Sequence, residues 1–242
     1  MDRNVARILV ALDVASAAEA LALADRLRGA VGGFKIGKQL FTAEGPGLVR
    51  QLVGRGDRIF LDLKYHDIPN TVASAVAAAT SLGAWMVNVH AAGGPAMLGA
   101  ARQAAHEAAG RRGGTPPLVI AVTVLTSMDD ATLREIGVNH TPIDQVERLA
   151  RMTLAAGLDG VVASPQEVVA IRRACGPSFV VVTPGIRGGT ATSGPDDQRR
   201  TATPSGAIAA GSSFLVIGRP ITGAADPRGA AQRMAEEIAT SR

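Results

Sequence analysis

Eight short apolar runs, each followed by an alanine-rich stretch of helical pattern, recur about every 30 residues along this 242-residue chain. The runs lie at 8–13, 34–37, 59–64, 85–90, 118–125, 160–163, 179–183 and 214–218. The candidate helices lie at 17–28, 46–54, 71–82, 95–109, 143–156, 166–174, 204–210 and 228–240. Strands alternating with helices imply an α/β fold, with parallel strands joined by helical crossovers. With eight such units a closed (β/α)8 TIM barrel is the leading architecture, and an open doubly wound sheet is the alternative. No linker or low-complexity segment divides the chain, so one domain over 1–242 is expected, a length that such barrels fill.

Composition narrows the function. Aromatic residues make up 3% of a chain that is 47% hydrophobic, so the core must be built from Ala, Val, Leu and Ile. The net charge is +4, and the basic residues are dispersed in pairs such as Arg111–Arg112, Arg172–Arg173 and Arg199–Arg200. A nucleic-acid surface concentrates such charge on one face and adds aromatic platforms, so an anionic small substrate fits better. The lone Cys175 allows no disulfide within the chain and has no metal-ligand spacing; it is expected to pack as a small hydrophobe. The first apolar run ends at Asp13, too early for a signal sequence, and no run approaches the roughly 18 residues of a membrane span. A soluble, cytoplasmic protein with no membrane partner is expected.

The densest chemistry lies at 58–71, R-I-F-L-D-L-K-Y-H-D-I-P-N-T. A strand repeats every two residues, so Asp62 and Lys64 share a face. Asp67 follows the strand end, and Pro69 suits the first turn of the next helix, where its missing N–H costs nothing. Alone, the segment reads as a strand with an ordinary solvated ion pair. In a barrel, enclosed by helices outside and side chains inside, Asp62 and Lys64 must aim inward, at the strand ends where active sites of this fold form. Asp13, Lys35, Asn88, His90 and Thr123 also fall at strand ends. Unpaired buried charges are costly, so these groups should neutralise one another. His90 is expected in a supporting role, and His140 on the surface.

The segment 32–38, G-G-F-K-I-G-K, superficially fits a phosphate loop. Gln39 replaces the Ser or Thr that would hold magnesium, however, and the segment runs along a strand instead of following one. After the fifth run, Asp129 or Asp130 caps a short helix. After the seventh, residues 184–203 are polar and nearly devoid of apolar side chains, as in a lid over a site; a plain polar loop is the alternative. Arg187 and Gln198 from this loop, with Gly218 and Arg219 after the eighth run, are suited to grip a phosphate, because loops after strands seven and eight form the recurrent phosphate site of this fold.

The stretch D-L-K-Y-H-D-I-P-N-T resembles the signature of the orotidine 5′-phosphate decarboxylase family. The likeness continues through A-L-D (11–13), F-K-I-G (34–37), V-T-V-L-T-S-M (122–128), T-P-G-I-R (183–187), D-D-Q-R (196–199) and I-G-R-P (217–220). Gly188 and Gly189 depart from it, since the family often has Pro after the arginine. Related barrels that act on keto-sugar phosphates share the D-x-K-x-x-D core but use magnesium, held partly by a glutamate at the end of strand two. This chain has Lys35 there.

The resemblance implies loss of CO2 from orotidine 5′-phosphate to give uridine 5′-phosphate, the last step of de novo pyrimidine biosynthesis, with no cofactor and no metal. It implies that Lys64 provides positive charge and a proton at C6, that Asp62 lies beside the substrate carboxylate, and that Asp67 orients Lys64 from the other subunit of a homodimer. Asp13 and Lys35 would bind the ribose, joined by Ile68 and Thr71 of that subunit. Thr126 would read the pyrimidine edge, and Gln198, Gly218 and Arg219, with Arg187, would hold the phosphate.

Overall fold

The computed structural model describes residues 2–187 and 201–240. Strands β1 (Ile8–Ala11), β2 (Gly33–Gly37), β3 (Ile59–Tyr65), β4 (Met86–His90), β5 (Leu118–Val122), β6 (Gly160–Val162), β7 (Val180–Thr183) and β8 (Phe214–Ile217) pair in parallel, each with the next. Ile8 pairs with Leu215 and Val10 with Ile217, which closes the sheet and excludes the open doubly wound alternative. Helices α1 (Ala17–Leu27), α2 (Lys38–Gly54), α3 (Pro69–Ser81) and α4 (Gly94–Arg111) follow the first four strands. Two helices, α5 (Asp130–Glu135) and α6 (Pro142–Ala155), follow β5. Then come α7 (Val168–Cys175) after β6, α8 (Pro204–Ala210) after β7, and α9 (Arg219–Thr222) and α10 (Pro227–Thr240) after β8.

Local chemistry sets the boundaries. Ser16 caps α1 by accepting the Glu19 N–H, and Asp129, not Asp130, caps α5 by accepting the Thr132 N–H at 2.9 Å. Pro69 sits in the first turn of α3, as expected. Helix α2 begins at Lys38, well before the expected start at Pro46. Gly45 takes φ 66 there and kinks the chain, because a proline disfavours helical backbone in the residue before it and glycine can leave the helical region without strain.

Side chains alternate along each strand between two apolar layers. Ile8, Val10, Ile36, Leu61, Val87, Val119, Val181 and Leu215 pack outward against the helices. Leu9, Ala11, Phe60, Met86, Ile120, Val182 and Val216 fill the barrel. At its amino-terminal end Trp85 meets Phe214 edge to face, with centroids 5.2 Å apart, and the Arg58 guanidinium lies 3.7 Å from the centre of the Trp85 ring. Glycine is required at Gly160, where a Cβ would lie 2.0 Å from the Val180 carbonyl oxygen. Cys175 packs against the outer core and burial pushes its thiol up.

The register carries Lys35, Asp62 and Asn88 into the interior layer at the carboxyl end: Lys35 pairs with Phe60, Gly37 with Asp62, and Asn88 with Ile120. Between β3 and β4 it slips. Leu61 pairs with Val87 and Tyr65 with Val89, so Asp62, Leu63 and Lys64 together stand opposite Asn88. Within this bulge Lys64 has φ 52, alone among the described non-glycine residues in taking a positive φ. That conformation costs on the order of 1–3 kcal/mol and persists only where its surroundings enforce it.

Candidate active site

The carboxyl ends of the strands surround a cavity of about 440 Å³. That lies within the roughly 300–1,000 Å³ usual for small-molecule sites. One wall is charged. Asp13, just past β1, lies 3.0 Å from Lys35 Nζ; Lys35 Nζ lies 3.6 Å from Asp62 Oδ2; Asp62 Oδ1 lies 2.6 Å from Lys64 Nζ. The signs alternate, so each buried charge is offset by its neighbour, as the cost of desolvation demands. Asp62 and Lys35 are nearly buried, whereas Asp13 and Lys64 retain contact with solvent. The rest of the lining includes the apolar side chains of Ala11, Phe60, Val122, Val162, Ala163 and Val216.

The wall is held from beneath by Asn88, which is fully buried. Its Nδ2 donates to Asp62 Oδ1 at 2.7 Å, and its Oδ1 accepts the Lys64 backbone N–H at 2.8 Å. His90, at the end of β4, stacks against His66 at 5.4 Å. Burial, and then the nearby His66, Lys38 and Lys64, pull the His90 imidazole down to about 4 against the pull of Asp62. It is therefore neutral near pH 7 and adds no charge to the wall.

Thr126, Arg187, Gly218 and Arg219 also line the cavity, with Gly218 beside Asp13. The base of the loop after β7 is pinned by a bridge between Ile186 and Ala202, with the Arg187 N–H donating to the Ala202 carbonyl at 2.9 Å. Gly37 lies where the charged atoms converge; a Cβ there would come within 2.9 Å of Lys35 Nζ.

Residues 6–234 match the family described as "Orotidine 5′-phosphate decarboxylase / HUMPS family". The chain belongs to this family. It is 54% identical to the orotidine 5′-phosphate decarboxylase of Syntrophotalea carbinolica over 235 residues, covering 97% of this chain and 96% of that one. The orotidine 5′-phosphate decarboxylase of Moorella thermoacetica is 54% identical over 233 residues, 96% of this chain and 92% of its own. Among solved structures, the orotidine 5′-phosphate decarboxylase from Lactobacillus acidophilus superposes with a TM-score of 0.85 at 36% identity, over 96% of this chain and 98% of that one.

Of the residues singled out in the sequence, Asp13, Lys35, Asp62, Lys64, Thr126, Arg187, Gly218 and Arg219 line one cavity. Gln198 lies outside the described residues, as does the D-D-Q-R segment. Asp67, Ile68 and Thr71 are exposed and do not line the cavity of their own chain. Asp67 Oδ1 accepts the N–H of Ile68, a residue that is 67% exposed. Strand alternation correctly puts Asp62 and Lys64 together, but their contact is made across a bulge that alternation does not foresee. Nor does strand alternation identify the partners of Asn88. The available signal was a polar residue at interior parity in M-V-N-V-H, a run otherwise apolar up to its last residue. The segment 32–38 runs through β2, as expected of a strand and not of a phosphate loop.

Proposed function

We propose that this chain removes CO2 from orotidine 5′-phosphate to give uridine 5′-phosphate, without a metal or organic cofactor, and that it does so as a homodimer. The observation that carries the reading is the alternating row Asp13–Lys35–Asp62–Lys64 on one wall of the cavity, in a chain of this family. Breaking the bond from C6 to the carboxylate leaves an electron pair on C6 that the pyrimidine ring delocalises poorly. A fixed positive charge at that point stabilises the transition state. Lys64 is that charge, and its ammonium then donates a proton to C6 as general acid, to be replaced from solvent. Asp62 lies against the substrate carboxylate, and their repulsion ends as neutral CO2 departs.

Asp13 and Lys35 bind the ribose hydroxyls, Thr126 the pyrimidine amide edge, and Arg219, Gly218, Arg187 and Gln198 the phosphate. Asp67, Ile68 and Thr71 complete the site of the neighbouring subunit; the exposed apolar side chain of Ile68 beside Asp67 supports a surface that a second chain covers. The competing reading, a magnesium-dependent enzyme acting on a sugar phosphate, is disfavoured by Lys35. Its ammonium already neutralises Asp13 and Asp62 and would repel a divalent cation.

The test is the loss of orotidine 5′-phosphate ultraviolet absorbance on adding the protein, with and without a strong chelator. Turnover unchanged by the chelator is expected. Absence of turnover, or its abolition by the chelator with recovery on adding magnesium, would overturn the reading.

A further inference from the structure

We infer that Asn88 is a positioning residue, the group that holds Lys64 in its left-handed conformation and ties it to Asp62; this rests on the decarboxylase reading above. Three residues of β3 stand opposite Asn88, so the regular ladder cannot satisfy the Lys64 N–H. The Asn88 side chain replaces the missing strand. The orientation of its amide is forced, since the Lys64 N–H needs an oxygen and the Asp62 carboxylate needs a donor. One amide therefore fixes both ends of the Lys64–Asp62 pair: the backbone from which the ammonium is projected, and the carboxylate it meets at 2.6 Å. The amide is fully buried and uncharged, so it sets this geometry without altering the charge balance of the wall.

Asn88 also couples the strain at Lys64 to the chemistry. A lysine at φ 52 gains by relaxing toward ordinary strand geometry, which would swing the ammonium away from the carboxylate. The bond from Asn88 opposes that relaxation. Without it the two charges remain but their separation is no longer fixed, and misplacement of a reacting group by about 1 Å can cost on the order of 100-fold in rate.

The experiment compares Asn88→Leu, Asn88→Ser and Asn88→Asp with wild type and with Lys64→Ala, measuring kcat for orotidine 5′-phosphate, the Kd of uridine 5′-phosphate and the thermal midpoint. Leucine preserves volume but loses both hydrogen bonds. Serine loses volume, but its hydroxyl can accept from Lys64 and donate to Asp62. Aspartate keeps the acceptor and turns a second carboxylate toward Asp62. Positioning predicts that kcat falls roughly 100-fold for Leu and Asp, that Ser retains more activity than Leu, and that Kd changes less than about threefold. A packing role predicts the reverse order, with Leu above Ser and kcat following the thermal midpoint; that order, or a Leu variant within about threefold of wild type, would overturn the inference. If the Leu variant does not fold, equal turnover by the Ser and Asp variants overturns it instead. Wild type without activity would sink the decarboxylase reading itself, a separate outcome.

Discussion

The two ends of the barrel solve opposite problems. The amino-terminal end is closed by apolar packing that one chain completes: Met86 and Phe60 fill the interior, and Trp85, Phe214 and Arg58 cover it. The carboxyl end is open, charged and strained, with Lys64 in a left-handed conformation and Asp67 and Ile68 turned to solvent. One end gains stability from burying apolar surface. The other uses that stability to hold like and unlike charges where a solvated chain would not keep them. The contrast assigns the fold to one set of residues and the activity to another, and substitutions can test the division.

The largest effect should come from the open end. On the mechanism proposed above, Lys64→Ala removes both the charge at C6 and the proton donor, so turnover should fall by about 10⁴-fold or more, roughly 5 kcal/mol. Uridine 5′-phosphate binding, measured by calorimetry, should weaken far less, because the residues proposed to hold ribose and phosphate are unchanged. Retention of more than about a hundredth of wild-type turnover, equivalent to only ~2.7 kcal/mol, would contradict the role given to Lys64.

At the closed end the pattern should invert. Met86 is fully buried in the interior layer, and Met86→Ala should lower the unfolding free energy by about 2–5 kcal/mol in a denaturant titration. The fraction that remains folded should keep near-normal kcat. A loss of kcat comparable to that of Lys64→Ala would break the division between the two ends.

The smallest effect is expected at His90, the last residue of β4. Its folded value of about 4 is below the ordinary 6.5, so the unfolded chain binds more protons between those values. Stability contributed by neutral His90 is therefore present above about pH 6.5 and lost as pH falls toward 4. His90→Gln should flatten the stability profile in that window by on the order of 1 kcal/mol, after allowance for solvent screening. An unchanged slope would mean that the imidazole is not held neutral by burial.

The closed end was the easier to read from the sequence. Runs such as I-L-V-A-L and M-V-N-V-H define strands because burial on both faces demands continuous apolar residues, and eight of them with helices between leave few topologies. Charged residues inside those runs, Lys35 and Asp62 above all, were legible for the same reason: solvation cannot explain a charge on a buried strand. The bulge at 62–64 was not legible, because it depends on how β3 meets β4, and register is a property of two strands instead of one. The kink at Gly45 is not visible in the helical pattern that begins at Pro46, although the glycine–proline pair carries the signal.

The central claim is that one chain leaves the charged end incomplete and a second chain supplies Asp67. The direct measurement mixes Lys64→Ala protein with Asp67→Ala protein and follows orotidine 5′-phosphate decarboxylation as subunits exchange. Each variant alone should be nearly inactive. In a hybrid dimer, one of the two sites joins an intact Lys64 to an intact Asp67 from the other chain, so activity should rise to about a quarter of the wild-type value at equal mixing, as expected for random reassociation of a two-fold dimer. No rise, with exchange verified by a mass-labelled subunit, would show that each chain completes its own site and would contradict the claim.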